Sequence, residues 1–342
     1  MGGAENYVSD VSNSLHEMGY TVHVASRTGL RNRELNPSIK HHYINFRKVH
    51  TLPNLVRLIK LIRKEKFDII HAHQRNPILV GCLASFFSGI PVITTVHGKW
   101  RDDIGSKFVQ KRLKGIIVTS RNSWDGVKES SLLRKKTDII PCGLNNISKV
   151  SKNYSKMKIL YACRVDKNHY NLLRLIIMDV FPALRKIFPE LDLEIIGNGS
   201  SMLSLSQLVK ETKQRLGKEC IKLTGYLPDI TEKIASAGCV LGVGQVALRS
   251  LALGVPVLSI NNKYLGEPIV SENYEYYHYN NFVAVDFGSP NSSLIIKYLS
   301  DILENYDFYK NEAVQIMPHA IEEFNMKRVA GKIIGKYREA LK

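Results

Sequence analysis

The sequence predicts an α/β chain made of two Rossmann-like, doubly wound parallel-sheet domains, and three observations carry that prediction. The 342 residues exceed what one ordinary α/β core buries and suit two. Short apolar strands alternate with amphipathic helical stretches along most of the length. The alternation breaks once, in NNISKVSKNYS over 145–155, which has no periodicity and is rich in Asn, Ser and Lys, and therefore reads as a linker. The expected boundaries are 1–148 for the first domain, 149–320 for the second, and 321–342 for a final helix packing back across the domains.

In the first domain, Val8, Val11, Leu15 and Met18 recur at helical spacing over 4–19, and Gly19 is a good C-cap. The strand YTVHVA follows. A helix directly after the pair Gly2–Gly3 implies a βα unit whose first strand precedes Gly2. A parallel sheet without that strand would leave two ladders of backbone groups unpaired, so a truncated or misassigned start is expected. Leu55, Leu58, Ile59 and Ile62 mark one face of a basic helix over 55–66. That pattern suits a membrane surface or a sheet, and the strand FDIIHAH directly after it favours the sheet. A helix over 77–87 and strands over 91–96, 115–119 and 138–141 complete the domain.

Beyond the linker the order is strand KILYAC, helix 171–188, strand LDLEIIG, helix 203–216, strand CIKLTG, helix 230–237, strand CVLGV, helix 246–253 and strand PVLSI. The basic stretch 324–341, with Val329, Ile333, Ile334 and Tyr337 near one face, is the final helix.

Apolar residues make up 44% of the chain and charged residues 23%, so disorder is not the default. Lys and Arg number 48 against 31 Asp and Glu, a formal charge of +17 that favours an anionic partner: a nucleotide diphosphate, anionic headgroups, a polyanionic glycan or nucleic acid. The cations are dispersed rather than gathered with aromatics, which argues against nucleic acid. Five cysteines without a CxxC pair suggest neither a disulfide framework nor a zinc site, and a reducing cytoplasm suits them. There is no run of about 18 apolar residues and no basic-then-apolar leader. The expected place is the cytoplasm, with room for peripheral contact at the inner face of an anionic membrane.

Chemistry concentrates in GVGQVALRSLALGVPV over 242–257. Gly242 and Gly244 fall at a strand end directly before a helix, where the backbone can approach a phosphate and the first-turn amides point at it. Arg164 ends the strand KILYAC in the loop RVDKNHYN, beside Asp166, Lys167 and His169, well placed to neutralise a phosphate at the carboxyl edge of a parallel sheet. His71 and His73 alternate along one strand, and without an obvious third ligand they read as polar strand-end residues rather than zinc ligands. His97 ends the next strand, in TVHG, in the expected interdomain cleft. No Walker lysine, G-x-S-x-G elbow or RNP segment is present.

In order, GGAE, DIIHAH, IPVITTVHG, IIVTS, IIPCGLN, the strand before Arg164, LEIIGNG, LTGYLPD, and the glycine-rich helix start with GVPV resemble glycosyltransferase family 4 over nearly the whole chain. That family comprises retaining, nucleotide-sugar-dependent enzymes of the GT-B fold. The resemblance implies that Gly2 and Gly3 approach the donor diphosphate or the acceptor, that His97 helps hold the sugar, and that Arg164 contacts diphosphate. The region of Tyr226 and Leu227 would read the base through backbone groups, and Gly197 is a further donor-binding candidate. Gly242, Val243, Gly244, Gln245 and Val246 would grip the phosphates.

Three positions depart from the pattern. The family's lysine, five residues after its arginine, is His169, with Lys167 as a possible substitute. The family's paired glutamates fall at Leu241 and Arg249, and an arginine can donate hydrogen bonds but not accept them from a ribose. Arg249 could instead meet a phosphate or carboxylate.

The reading is a metal-independent glycosyltransferase moving a sugar from a nucleotide diphosphate donor, of the UDP type, to a hydroxyl with retention. It takes no cofactor besides that co-substrate. His97, Arg164 and His169 are the catalytic candidates. The acceptor, a sugar, glycoside or lipid-linked molecule in envelope polysaccharide or glycoside synthesis, would bind near Gly3, Lys99 and Trp100. The alternative is a catalytically weakened relative that binds sugar nucleotide or a partner as a scaffold.

Overall fold

The computed structural model describes residues 3–27, 34–98, 100, 106–145, 147, 154–217 and 219–342. It divides into two compact units: Gly2–Asn145 with Phe324–Lys342, and Asn146–Glu323. Much of the expected linker, and Gly2, lie outside the described residues.

The amino-terminal unit runs α1 (Gly3–Glu17), β1 (His23–Ser26), β2 (Lys40–Tyr43), α2 (Thr51–Glu65), β3 (Ile70–His73), α3 (Arg75–Ser88), β4 (Val92–Val96), α4 (Lys107–Arg112), β5 (Gly115–Val118), α5 (Arg121–Asp125), α6 (Ser131–Arg134) and β6 (Thr137–Ile139). The sheet order is β3-β4-β5-β6, all parallel, with β1 and β2 forming a separate parallel pair. Among the described residues no strand precedes α1, and β1 is not paired with β3. β4 and β5 are buried throughout, as strands covered on both faces should be.

The second unit runs β7 (Ser155–Ala162), α7 (Lys167–Leu175), α8 (Phe181–Ile187), β8 (Asp192–Ile196), α9 (Met202–Leu216), β9 (Ile221–Gly225), α10 (Thr231–Ala235), β10 (Ala237–Gly242), α11 (Gln245–Ala252), β11 (Val257–Ile260), β12 (Leu265–Pro268), α12 (Tyr274–Tyr279), α13 (Ser292–Glu304) and α14 (Tyr306–Glu323). Its sheet has the order β12-β11-β10-β7-β8-β9, parallel except for the antiparallel edge strand β12. The single helix expected over 171–188 is broken by a π-helical turn at Ile176–Val180. The cause is Pro182 in the first turn of α8, which has no N–H to donate and whose ring would collide with the carbonyl four residues back in a regular helix.

The last helix, α15 (Met326–Leu341), belongs to the amino-terminal unit. Its Val329, Ala330, Ile333 and Ile334 are buried with Tyr7, Val11 and Leu15 of α1 and with Ile93 and Ile117 of the sheet. Lys336 is buried on the same helix, ion-paired with Asp138 and Glu339. No helix among the described residues is long and apolar enough to cross a membrane.

Candidate functional site

In the second unit the chain runs from β7 outward through β8 to β9, then returns to the other side of β7 to form β10. This reversal opens a crevice at the carboxyl ends of β7 and β10, the place where open α/β sheets bind ligands. Tyr161 of β7 pairs with Leu241 of β10. Arg164 and Gly244 each lie three residues further along these adjacent strands, so the two strongest sequence candidates flank the crevice from either side.

Close backbone packing shapes the β7 side. The Cys163 N–H donates to the Ile196 carbonyl (3.0 Å), Val165 to Asn198 (3.2 Å), Ser201 to Val165 (2.9 Å) and Gly197 to Gly225 (2.8 Å). These bonds lace the loops after β7, β8 and β9 into one edge that holds Arg164, Gly197 and Tyr226. Gly197 has no alternative: a Cβ there would sit 1.9 Å from the Cys163 carbonyl oxygen. Arg164 is exposed at the rim.

Asp166 caps α7, accepting from the amides of Asn168 (3.0 Å) and His169 (3.1 Å), and its Oδ1 also meets His169 Nδ1 at 2.8 Å. The His169 hydrogen bond, with the two capping amides, holds the Asp166 carboxyl below the usual carboxylate range. His169 therefore has one ring nitrogen committed to the cap. Lys167 is exposed in the first turn of α7.

On the β10 side, Gly242 is buried and Gly244 is the N-cap of α11 with φ +57°. The first i to i−4 bond of α11 is made by Leu248 to Gly244, so the amides of Gln245 and Ala247 precede it, as first-turn amides do. A Cβ on Gly242 would lie 2.6 Å from Val246 Cγ1, which fixes glycine where the strand turns into the helix. Leu227 and Val246, both half-buried, pack on the apolar cluster of Leu160, Ile196, Ile234 and Val240.

The two positions where the family pattern has its paired glutamates have definite places. Leu241 is fully buried in the core under β10. Arg249 Nη1 donates to Thr231 Oγ1 (3.0 Å), tying its guanidinium to the start of α10.

Sequence reasoning missed Asn281 and Phe282, successive residues in the left-handed region (φ 54° and 59°). Asn281 Nδ2 lies 3.8 Å from the Cβ position of Gly244. Asn tolerates this conformation and a bulky aromatic does not, so the pair stores strain beside the crevice. An Asn before an aromatic in a loop was the only signal. A shallow groove lined by Lys210, Lys213 and Lys222 lies along the edge strand β9 and contains none of the candidate residues.

His97 and Gly3 belong to the amino-terminal unit, Gly3 opening α1. Lys99 lies outside the described residues. His97 follows β4 with Nε2 buried and, among the described residues, unpartnered, its ring edge-on to Tyr7 at 4.8 Å and 5.7 Å from that of His73. Among the described residues His73 Nδ1 is likewise buried and unpartnered. His71, read as a polar strand end, is a buried junction: Nδ1 meets the Tyr337 hydroxyl and Nε2 meets Thr95 Oγ1, both at 2.8 Å. Burial pushes the His71 imidazole down to about 3 and His97 to about 4, so both are neutral near pH 7. Among the described residues no group of three or more His, Cys, Asp or Glu side chains is arranged to hold a metal ion.

Residues 1–146 match the model of Glycosyltransferase Family 4. The matched stretch spans the amino-terminal unit as far as Asn145. A UDP-Gal:alpha-D-GlcNAc-diphosphoundecaprenol alpha-1,3-galactosyltransferase from Escherichia coli is 30% identical over 117 residues, which is 30% of this chain and 30% of that relative's length. Among solved structures, Anabaena HepE in complex with UDP-glucose aligns with a TM-score of 0.74 at 16% identity, covering 98% of this chain and 95% of that one. A glycosyltransferase from Rickettsia africae aligns at 0.72 with 20% identity, covering 100% and 96%. The chain has the two-domain GT-B fold.

Proposed function

We propose that this chain transfers a sugar from a UDP-type nucleotide sugar to a hydroxyl acceptor with retention of configuration and without a metal. The observation that carries the reading is the crevice between β7 and β10, with the Arg164 guanidinium on one side and the amino terminus of α11 on the other. As the sugar leaves, charge builds on the diphosphate. Arg164, the first-turn amides of α11, and Lys167 or His169 would stabilise that charge in place. The Tyr226–Leu227 backbone would meet the base, and Gly197 lets the loop before it approach closely. Asn281, beside Gly244, joins this set.

His97 is assigned to the sugar. A neutral imidazole can donate to or accept from a hydroxyl, and Nε2 has no hydrogen-bond partner among the described residues. The hydrogen-bonded column of Tyr337, His71 and Thr95 below it is neutral and fixed, which suits recognition of uncharged hydroxyls. The E. coli relative's name specifies UDP-galactose and an acceptor on diphosphoundecaprenol, which supports a UDP donor and a lipid-linked acceptor in envelope glycan synthesis. The test is incubation with UDP-glucose, UDP-galactose and UDP-N-acetylglucosamine, following UDP release. Release that disappears in Arg164→Ala supports the reading, and no release from any of them counts against it.

A second reading rests on Leu241 and Arg249. One cannot hydrogen-bond a ribose, and the other is tied to Thr231. A protein that binds UDP-sugar but neither hydrolyses nor transfers it would be a sugar-nucleotide-binding or scaffolding relative, and the same incubation separates the two.

A further inference from the structure

Among the described residues one carboxylate is buried, and it lies in the second unit just below the rim of the crevice. Glu194, in the middle of β8 and three residues before Gly197, is 3% exposed. Alternation along the strands puts it on the same face as Leu160 and Ile196, the side that packs with Ile234 and Val240. An aliphatic side chain would fill that position at no electrostatic cost. Instead three donors converge on it. Lys158 Nζ of β7 lies 2.7 Å from Oε2, while Lys233 Nζ of α10 (3.2 Å) and Thr224 Oγ1 of β9 (2.5 Å) share Oε1. Burial alone would push this carboxyl up. The hydrogen bonds from Lys158 and Thr224, with the Lys158 charge, outweigh burial and bring it down to about 2, so it is ionised near pH 7.

The two groups on Oε1 bracket a single loop. Thr224 directly precedes Gly225, and Lys233 stands in the first turn of α10, so one carboxylate oxygen holds both ends of the stretch 225–232, which contains Tyr226 and Leu227. α10 is short and buries only Thr231, Ile234 and Ala235, so apolar packing gives it few anchors. Polar bonds supply the rest. Lys158 donates to Ser236 Oγ at the end of α10 (3.2 Å), Asp229 accepts from the Thr231 amide (2.8 Å) and hydroxyl (2.6 Å), and Arg249 of α11 donates to the same Thr231 oxygen (3.0 Å). A buried ion pair is often no more stabilising than apolar groups of similar volume; what it adds is a fixed direction for each bond. Here those directions all run to the two flanks of one loop.

We propose that Glu194 is a positioning residue for recognition of the nucleobase: through Thr224 and Lys233 it holds the Tyr226–Leu227 backbone where it distinguishes one base from another. Glu194 itself touches no ligand, and its effect reaches the base only through the loop. The inference rests on the assignment of that backbone to the base, made above, and concerns base preference rather than the diphosphate contacts of Arg164 and α11.

The experiment is calorimetric titration of the full chain with UDP and with ADP, for the parent, for Lys233→Met and for Lys158→Met/Glu194→Leu/Lys233→Met. The Lys233 side chain is 34% exposed, and its loss leaves Glu194 paired with Lys158, so Lys233→Met should keep the parent melting temperature. The triple variant exchanges the whole network for apolar groups of similar size and should melt no lower than the parent. In both, the preference for UDP over ADP should fall roughly tenfold, because a loop misplaced by about 1 Å loses contacts of that worth. The fall should come from weaker UDP binding, with ADP affinity little changed, and a purely structural role would not move that ratio. A parent that binds neither nucleotide, or both alike, removes the reading of the loop as the base contact and the inference with it. A parent that prefers UDP, with variants that keep the preference or lose UDP and ADP in equal proportion, overturns the inference alone.

Discussion

Gly242→Ala asks whether the turn into α11 is built around a missing side chain. The added Cβ would sit 2.6 Å from Val246 Cγ1 and 3.0 Å from Val246 Cβ. Val246 is β-branched and stiff at χ1, so it cannot swing away cheaply. Either the first turn of α11 moves or strand β10 does. Overpacking of this kind costs about 1–3 kcal/mol, and displacing the first-turn amides should weaken UDP binding as well. Val246→Ala removes two methyl groups from a half-buried site, at a cost of roughly 1 kcal/mol. In the double variant the clash is gone, so it should be no less stable than Val246→Ala alone and should regain most of the UDP affinity. The coupling expected from urea denaturation of the four proteins is about 1–2 kcal/mol. Additive costs in the double variant, or a Gly242→Ala protein that binds UDP like the parent, would refute the argument that this glycine sets the crevice.

Arg164→Ala should leave stability nearly unchanged, because the residue is exposed, yet weaken UDP binding by about tenfold or more through loss of a charge-assisted contact; calorimetric titration reads this directly. Acid should destabilise the amino-terminal unit. His71 and His97 titrate below the ordinary histidine value in the folded state, so the unfolded chain takes up protons first and stability falls as pH drops below about 6.5. For His71 alone the loss between pH 7 and pH 5 is about 2 kcal/mol. Urea unfolding at the two pH values checks it, and His71→Gln should flatten the slope; a pH-independent stability would contradict the burial of these rings.

How much of this a reader could take from the sequence depends on the range of the forces involved. Local periodicity marked β7 to β11 and α11, because each strand is a short apolar run closed by a turn. The π-helical turn before Pro182 was locally encoded too, since proline's missing donor acts within one helical turn. β12 and α12 to α14 were not anticipated: β12 is a four-residue edge strand containing Gly266 and Pro268, with little pattern to read.

Arg164 and the Gly242–Val246 turn were found as separate loops, and their pairing across the crevice follows from the strand order, which no local pattern carries. His71 shows the same limit in reverse. Its partner Tyr337 lies 266 residues away, so a residue that reads as a polar strand end becomes a hydrogen-bonded junction only when α15 returns to the sheet. One signal was available: His71 and His73 share a face, and the register of β3 with β4 puts Thr95 and then His97 beside them.

The decisive measurement is isothermal titration of the purified chain with UDP, run beside Arg164→Ala and beside adenosine diphosphate. The crevice between β7 and β10 predicts saturable binding of one UDP, much weaker in the variant. A chain that takes up no UDP, or binds it equally well without the guanidinium, contradicts the assignment of that crevice to a pyrophosphate.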